Sequence, residues 1–402
     1  MDLLSKFEAV AEIPRQLNGG SLDPTNVVMD QLVSATEAVV QGRSVILAGT
    51  NNYLGLTFDA ECIEAGKRAL DQAGTGTTGS RMANGNFTAH QALERELAEF
   101  YDMPHAVVFP TGYVANLGTL CGLLGADDCV LLDADAHASL YDGARMSGAE
   151  VYRFKHNDPA SLDAHLRRLK ARATRTLIVT EGLYSILGDT APLAEFVAIK
   201  QRYGAYLLVD EAHSLGVYGD RGRGLSDAAG VLPEVDFIVG TFSKSLGATG
   251  GFCVSAHKAL ALLRYTSRPY IFTASASPSV IATTRTALAL MQKRPQLRQQ
   301  LWRNAHELHA GLSNLKLQLG SEISPIVSVG FDSREAALAC WHSMMKSGVY
   351  TNLVVPPASP DGSSLIRCSI SAAHTSEQIQ CIVDAFANAI GAAESAKGAA
   401  SV

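Results

Sequence analysis

The chain has 402 residues, of which 47% are apolar and 18% are charged, an ordinary composition for a folded protein with room for one large and one smaller domain. The net charge of −6 argues against a nucleic-acid partner, because phosphate binding requires clustered Lys and Arg. No apolar run predicts a transmembrane segment, the N-terminus lacks the apolar core of a signal peptide, and the scattered cysteines predict neither a metal site nor disulfides. We therefore expect a cytoplasmic protein.

Short apolar runs alternate with helix-length segments from about residue 45 to 255. The predicted strands are Ala106–Phe109, Val130–Leu132, Val151–Phe154, Leu177–Val179, Tyr206–Val209, Phe237–Val239 and Gly251–Val254. Between them lie amphipathic stretches such as Thr88–Tyr101 and Pro192–Tyr203. This alternation predicts βαβ units that build a mostly parallel sheet covered by helices on both faces. In such sheets the ligand binds beyond the carboxyl ends of the strands.

The pattern changes after about residue 285. One long helical stretch, from Pro278 to Leu315, leads into a smaller α+β unit that ends near Ile390. We therefore predict an N-terminal arm over residues 1–45, a large α/β domain over residues 46–285 and a small C-terminal domain over residues 286–402. The small, polar residues at the end of the chain predict a frayed tail.

Asp210 follows the predicted strand that ends at Val209 and begins the sequence Asp210-Glu-Ala-His213. A carboxylate buried at a strand end requires a partner, so we expect a cationic group beside Asp210. Taken alone, such an aspartate is more often only a strand-end cap. The same four residues occur in helicases, but the phosphate loop that helicases need is missing from this sequence, which excludes that class.

Lys244 lies between Ser243 and Ser245, just beyond the predicted strand Phe237–Val239, and a glycine-rich stretch follows it. A lysine in a loop is usually only solvated. However, a Schiff-base lysine and an acid that keeps a pyridine nitrogen protonated are the minimal equipment for binding pyridoxal phosphate. Asp210 and Lys244 can supply this pair, and the hydroxyl groups of Thr241 and Ser243 can bind the cofactor phosphate.

Two more segments follow strands in the same way. His137 comes after the strand Val130–Leu132; alone it would be interpreted as a surface residue, but beside Asp210 and Lys244 it is a candidate to stack on the cofactor ring. The sequence Thr111-Gly112-Tyr113 follows Phe109 and opens a predicted helix. Its backbone N–H groups can therefore cradle a phosphate.

The sequence Gly74-Thr-Gly76-Thr-Thr-Gly79 matches the dinucleotide fingerprint GxGxxG. That fingerprint must follow a strand and open a helix. Here it follows the helical stretch Glu61–Gln72, and no helix is predicted directly after it. A nicotinamide-dependent dehydrogenase is therefore a weak alternative, as is a non-catalytic regulator that binds the cofactor without turnover.

Several segments together resemble the α-oxoamine synthase family of pyridoxal phosphate enzymes. They are Asn52-Tyr53-Leu-Gly, GTGTTGSR, TGYVANLG, DADAHAS, EGLYSILGD, LVDEAHSLG, GTFSKSLGATGG and Leu365-Ile-Arg367-Cys-Ser. They follow the family order from about residue 25 to 390. Within the family, Arg268–Ser275 and the Val355-Pro-Pro-Ala segment most resemble the bacterial serine palmitoyltransferases.

The resemblance implies a fold-type I α/β transferase that forms a homodimer with active sites at the subunit interface. It also implies condensation of L-serine with a long-chain acyl-CoA, with loss of CO2 and CoA, to give 3-ketosphinganine, the first step of sphingolipid synthesis. Another α-oxoamine synthase, using glycine, alanine or a different amino acid, stays open. The reason is that Val355 stands where an arginine is typical and Asn51 where an aromatic residue is common.

The resemblance further assigns roles to single residues. Lys244 matches the Schiff-base lysine, Asp210 the partner of the pyridine nitrogen, and His137 the ring-stacking histidine. His213 and Ser185 match residues that bind the phenolic oxygen of the cofactor, and Asn52 and Arg367 match residues near the amino-acid substrate. Thr273 matches a residue that contacts the cofactor phosphate of the neighbouring subunit. The residues that match phosphate contacts within the same chain are Gly112, Tyr113, Thr241 and Ser243.

Overall fold

The computed structural model describes residues 2–8, 11, 22–320, 322–356, 358–359 and 362–399, with side chains as far as residue 391. The strands, numbered in chain order, are Gln31–Leu32 (β1), Glu37–Val40 (β2), Arg43–Leu47 (β3), His105–Phe109 (β4), Cys129–Asp133 (β5), Glu150–Phe154 (β6), Thr176–Glu181 (β7), Tyr206–Asp210 (β8), Phe237–Thr241 (β9), Gly251–Ser255 (β10), Ile326–Phe331 (β11), Val349–Tyr350 (β12), Asn352–Val354 (β13) and Ser364–Ser369 (β14).

The α-helices are Ala60–Ala73 (α1), Thr88–Phe100 (α2), Gly112–Leu123 (α3), Ala138–Ser147 (α4), Pro159–Leu169 (α5), Leu193–Tyr203 (α6), Leu225–Ala228 (α7), Leu263–Thr266 (α8), Arg268–Ile271 (α9), Pro278–Lys293 (α10), Pro295–Asn314 (α11), Arg334–Lys346 (α12) and Ser376–Ala399 (α13). Short 3-10 helices cover Leu56–Phe58, Lys170–Arg175, Leu232–Glu234 and Lys258–Leu262. Within the described residues, no helix combines the length and hydropathy needed to cross a membrane.

The larger of two compact units contains Asn51–Ser185 and Asp189–Gln299. Among the described residues its sheet has seven strands in the order β4-β10-β9-β8-β7-β5-β6. Strands β5 to β9 pair in parallel, whereas β10 is antiparallel to both of its neighbours. Every residue of β5, β7 and β9 is buried, which explains why their apolar runs are continuous rather than alternating. The predicted strands and the mostly parallel α/β sheet are confirmed.

Two helices of this unit begin shortly after the carboxyl ends of strands. Helix α3 follows β4, and the Thr111 hydroxyl caps it by accepting a hydrogen bond from the Val114 N–H at 3.0 Å. Helix α4 follows β5 and begins after His137, whose side chain accepts from the N–H of Ser139. Both helix N-termini therefore lie on the side of the sheet where a ligand is expected.

The other unit contains the described residues up to Thr50, residues 186–188 and those from Gln300 onwards. It has one sheet with the order β1-β2-β3-β12 and another with the order β11-β14-β13. Its core includes Trp341, Ile366 and Phe386, each fully buried. The Trp341 indole N–H donates to the Thr351 carbonyl at 2.9 Å, so burial of this ring leaves its polar group satisfied.

Three details differ from the sequence analysis or extend it. The helical stretch predicted from Pro278 to Leu315 is two helices, because Pro295 disfavours helical backbone at Arg294, which has φ −120° and ψ 64°. The predicted N-terminal arm contains β1, β2 and most of β3. Helix α13 continues to Ala399 through part of the segment predicted to fray, and residues 400–402 lie outside the described residues.

The domain boundaries at residues 45 and 285 stay predictions. The GTGTTG segment begins at Gly74, directly after α1 ends at Ala73, and the next helix begins only at Thr88. It therefore does not connect a strand to a helix, which confirms the reason for excluding a dinucleotide fingerprint.

A partly buried histidine, His156, connects the carboxyl end of β5 to the segment before α6. His156 Nδ1 lies 2.7 Å from Asp133 Oδ1, and His156 Nε2 lies 2.7 Å from Asp189 Oδ2. Because both ring nitrogens face carboxylates, both carry hydrogens and the ring is cationic. Burial lowers the pKa of His156, but the bonds to Asp133 and Asp189 outweigh burial and raise this pKa from 6.5 to about 10.

This raised pKa predicts that the free energy of unfolding decreases as the pH rises from about 6.5 to about 10. Below this window the ring is protonated in folded and unfolded chains, so the stabilisation is fully present; above it both forms are neutral and the stabilisation is lost. The full shift corresponds to about 5 kcal/mol, and because the side chain is 23% exposed and partly screened by solvent, we expect a loss of about 3 kcal/mol. Urea unfolding across the window measures it, with His156→Gln as the control for all other titrating groups. An equal slope in the wild type and in His156→Gln would contradict the assignment.

Candidate active site

A cavity of about 280 Å³ lies at the carboxyl ends of β7, β8 and β9. Its walls also include the first turns of α3 and α4, so main-chain N–H groups and strand-end side chains meet there. The lining residues are Thr111, Gly112, Tyr113, Asn116, His137, Ser139, Glu181, Asp210, Ala212, His213, Val239, Gly240, Thr241, Ser243 and Lys244.

Asp210 is the last residue of β8 and is only 4% exposed. Its Oδ1 accepts from the Ala212 N–H at 2.9 Å, and its Oδ2 accepts from the Asn116 amide at 2.7 Å. Both donors are neutral, so neither is the cationic partner expected for a buried carboxylate. A protonated pyridine nitrogen would meet this requirement.

Glu181 ends the neighbouring strand and is the direct register partner of Asp210. Burial raises the pKa of Glu181 well above its usual value, and the negative charge of Asp210 raises it further. Burial and the charge of Asp210 thus both favour the neutral form of Glu181, which lessens the repulsion between two carboxyl groups that end adjacent strands. Its Oε1 accepts from the His137 N–H at 2.6 Å.

The imidazole of His137 is neutral near pH 7. Burial lowers the pKa of His137, and the positive charge of Lys244 lowers it further against the opposing charge of Asp210. The ring Nδ1 lies 2.8 Å from the Ser139 hydroxyl, and the Tyr113 ring meets the imidazole edge-on at 6.3 Å between centroids. The ring is thus held from two sides within the cavity wall.

The start of α3 packs closely against the end of β9. A Cβ atom on Gly112 would lie 2.7 Å from Thr241 Oγ1, so glycine is required for this approach. Thr241 Oγ1 also lies 2.9 Å from Ser243 Oγ. The exposed helical N–H groups and these two hydroxyls form a site suited to a phosphate. The Tyr113 hydroxyl donates to Asp142.

The structure brings most of the predicted site residues together. Those that line the cavity are Gly112, Tyr113, His137, Asp210, His213, Thr241, Ser243 and Lys244. Lys244 lies three residues beyond β9, and His213 Nδ1 lies 2.7 Å from the hydroxyl of the fully buried Tyr53. The chemical groups present fit pyridoxal phosphate: a lysine amine, a buried carboxylate, a neutral histidine and an anion site.

Among the described residues, four predicted site residues are not part of the lining of this cavity. Asn52 is buried and donates to Thr57 Oγ1 at 2.7 Å, and Ser185 lies in the turn after β7. Thr273 lines a separate small hollow with Tyr270. Arg367 is 4% exposed in β14, in the other compact unit. The roles of these residues stay predictions.

The sequence analysis did not single out Asn116, Ser139, Glu181 or Tyr53 as site residues. Helical spacing offered one signal, because Asn116 lies one turn after Gly112 and so shares its side of α3. Strand position offered another, since Glu181 and Asp210 both lie just beyond predicted strands, and in the structure these two residues are register partners. Neither signal identifies the partner atoms.

Comparisons with known proteins give a consistent result. The family model for aminotransferase class I and II matches residues 43–386. A serine palmitoyltransferase of Caulobacter vibrioides is 53% identical, covering 98% of this chain and 97% of the relative, and one of Sphingomonas paucimobilis is 48% identical, covering 96% and 92%.

Solved structures agree with these relatives. A serine palmitoyltransferase variant from S. paucimobilis, with a bound PLP–myriocin aldimine, superposes with a TM-score of 0.95 at 47% identity, covering 98% of this chain and 99% of that one. The chain therefore belongs to the aminotransferase class I and II family and, within it, to the α-oxoamine synthases.

Proposed function

We propose that the chain is a pyridoxal phosphate-dependent acyltransferase that condenses L-serine with a long-chain acyl-CoA, releasing CO2 and CoA and forming 3-ketosphinganine. This reaction would be the first step of sphingolipid synthesis. The observation that carries the proposal is the meeting, in one cavity, of Lys244, the buried Asp210 and the N-terminus of α3 at Gly112. The relatives named serine palmitoyltransferase, at 53% and 48% identity, support serine as the amino acid.

The proposal includes a cytoplasmic homodimer whose active sites lie at the subunit interface. In that arrangement Thr273 contacts the cofactor phosphate of the neighbouring subunit, and Ser185 and His213 bind the phenolic oxygen of the cofactor. Gly112, Tyr113, Thr241 and Ser243 hold the phosphate within the same chain. The position of Thr273 in a hollow apart from the cavity is compatible with a role across the interface.

Asp210 holds a proton on the pyridine nitrogen. Pyridoxal phosphate, when bound, supplies an electron sink for the charge that develops at Cα of the amino acid. An ionised carboxylate opposite a protonated nitrogen forms a charge-assisted hydrogen bond worth about 1.5–3 kcal/mol. The N–H donors of Asn116 and Ala212 hold the two oxygens of Asp210 in the orientation for that bond.

Lys244 and His137 act on the substrate side of the reaction. Lys244 would hold the cofactor, and its Nζ, as a free amine, could accept the proton from Cα of serine. His137 would stack on the ring of a bound cofactor and could donate a hydrogen bond to the substrate carboxylate. Because His137 is neutral near pH 7, it adds no positive charge that would compete with Lys244 for protons.

We expect 3-ketosphinganine as the main product when the purified protein is given a panel of amino acids and long-chain acyl-CoAs, with products identified by mass spectrometry. We expect this because Lys244, Asp210 and the N-terminus of α3 together form a site for pyridoxal phosphate. The matched control is Lys244→Ala. That variant should show neither turnover nor the near-visible absorbance of the lysine-bound cofactor. Good yield from glycine or alanine without ketosphinganine would instead indicate another α-oxoamine synthase.

Asp210→Asn keeps the shape of the side chain but removes its charge. We expect the cofactor to remain bound, while the exchange of the serine Cα hydrogen with solvent deuterium slows by about 10- to 150-fold, the equivalent of the lost charge-assisted bond. The exchange is followed by NMR of serine in D2O. An unchanged exchange rate would assign Asp210 a different role.

Arg367 is proposed to clamp the carboxylate of the amino acid, since Val355 replaces the second arginine that relatives of this type carry. Arg367→Ala should therefore weaken serine use by about 2–5 kcal/mol, or about one and a half to almost four powers of ten in kcat/KM. Arg367→Lys keeps the positive charge but lacks the planar guanidinium, so its kcat/KM should lie between those of the wild type and Arg367→Ala. Arg367 is nearly fully buried in β14, so the alternative is a structural role. A large fall in melting temperature with an unchanged serine dissociation constant would support that alternative.

A further inference from the structure

Asn116 is 3% exposed and donates two hydrogen bonds from one nitrogen. Its Nδ2 lies 2.7 Å from Asp210 Oδ2 and 2.9 Å from Ser139 Oγ. An ionised carboxylate can only accept hydrogen bonds, so the amide nitrogen, and not the amide oxygen, must face Asp210. The two hydrogens of the amide thus join Asp210, at the end of β8, to Ser139, in the first turn of α4.

Ser139 transmits this orientation to His137. Its hydroxyl lies 2.8 Å from His137 Nδ1, and its main-chain N–H donates to the same nitrogen at 3.2 Å. A ring nitrogen that accepts an N–H bond carries no hydrogen of its own. The Ser139 hydroxyl therefore donates to Nδ1 while its oxygen accepts from Asn116, and the hydrogen bonds run in one direction from Asn116 to His137.

We propose that Asn116 and Ser139 are positioning residues that couple Asp210 to His137 and keep the proton of the neutral His137 ring on Nε2. The inference rests on the proposed function, in which His137 donates a hydrogen bond to the substrate carboxylate. Since Nδ1 is occupied as an acceptor, Nε2–H is the donor that the ring can offer. Glu181 accepts a hydrogen bond from the main-chain N–H of His137 and so fixes its position. Both the position and the tautomer of the His137 ring are therefore determined.

The first test is the tautomer of His137 in the cofactor-free protein. Histidine labelled with 15N is observed by solid-state NMR of sedimented protein, and His137→Asn identifies the His137 signals by difference. We expect a protonated Nε2 and an unprotonated Nδ1 in the wild type, and a measurable share of the other tautomer in Ser139→Ala and in Asn116→Leu. A wild-type ring with its proton on Nδ1, or variants with the wild-type spectrum, would overturn the proposal.

Thr119→Val is the matched control. Thr119 lies one turn after Asn116 on α3, is fully buried and is not part of the cavity lining given by the described residues. This variant should keep the wild-type His137 spectrum. If Asn116→Leu fails to fold, Asn116→Asp replaces it, because the carboxylate has almost the same shape and lacks both N–H donors. It should likewise produce the other tautomer.

The second test is a double-mutant cycle on the dissociation constant of pyridoxal phosphate, measured with the apoprotein. Asn116→Leu should weaken cofactor binding about 10-fold through Asp210, the effect of one lost hydrogen bond. Ser139→Ala should weaken it less, and the double variant should match Asn116→Leu, because the two residues act in series. Fully additive effects would refute the coupling. Neither test uses serine or acyl-CoA, so failure of the proposed substrates is distinguishable from failure of this inference.

Discussion

The burial of the Asp210 carboxylate is the constraint on which the site depends. A charge taken out of water must be compensated, and the neutral Asn116 amide and Ala212 N–H each donate a hydrogen bond to Asp210 without cancelling its charge. An ionised carboxylate has about four lone-pair positions, so two donors leave capacity for a cation. The arrangement therefore stabilises a protonated ring nitrogen more than a neutral one, which is what the proposed chemistry requires.

The topology of the sheet creates this environment. Parallel strands bring their carboxyl ends to one edge, and the helices that follow β4 and β5 begin there, so main-chain N–H groups are concentrated beside the strand-end carboxyls. Two acids on adjacent strands would repel each other if both were ionised. Burial and the charge of Asp210 both raise the pKa of Glu181, which favours its neutral form, and its Oε1 accepts the hydrogen bond that holds the main chain of His137.

The sequence predicted the central sheet because strands buried on both faces appear as continuous apolar runs, and it predicted the cavity because charged residues directly follow those runs. It did not predict the break at Arg294, although Pro295 was a signal, because apolar periodicity continues across it. It also missed the β2–β3 hairpin, whose turn residues Gln41 and Gly42 both have positive φ.

The residues that contact Asp210 could not be predicted from the sequence, for a different reason. Asn116 and Asp210 are 94 residues apart in the chain, and no local pattern states which buried amide will face which carboxylate. Such a pair is determined by how α3 packs on the sheet. The close approach of Gly112 to Thr241 sets the position of the first turn of that helix, and Asn116 follows one turn later.

The neighbouring acids Asp210 and Glu211 have different roles because their hydrogen-bond partners differ. Glu211 is fully buried and accepts from the Ser214 hydroxyl, the Leu225 N–H and both the N–H and hydroxyl of Ser226. A Cβ on Gly182 would lie 2.3 Å from its Oε2, so no space remains for a ligand on that side. With its acceptor positions used inside the protein, Glu211 can only hold the first turn of α7 in place. Asp210, one residue earlier and on the opposite face of the chain, keeps part of its acceptor capacity for the cavity.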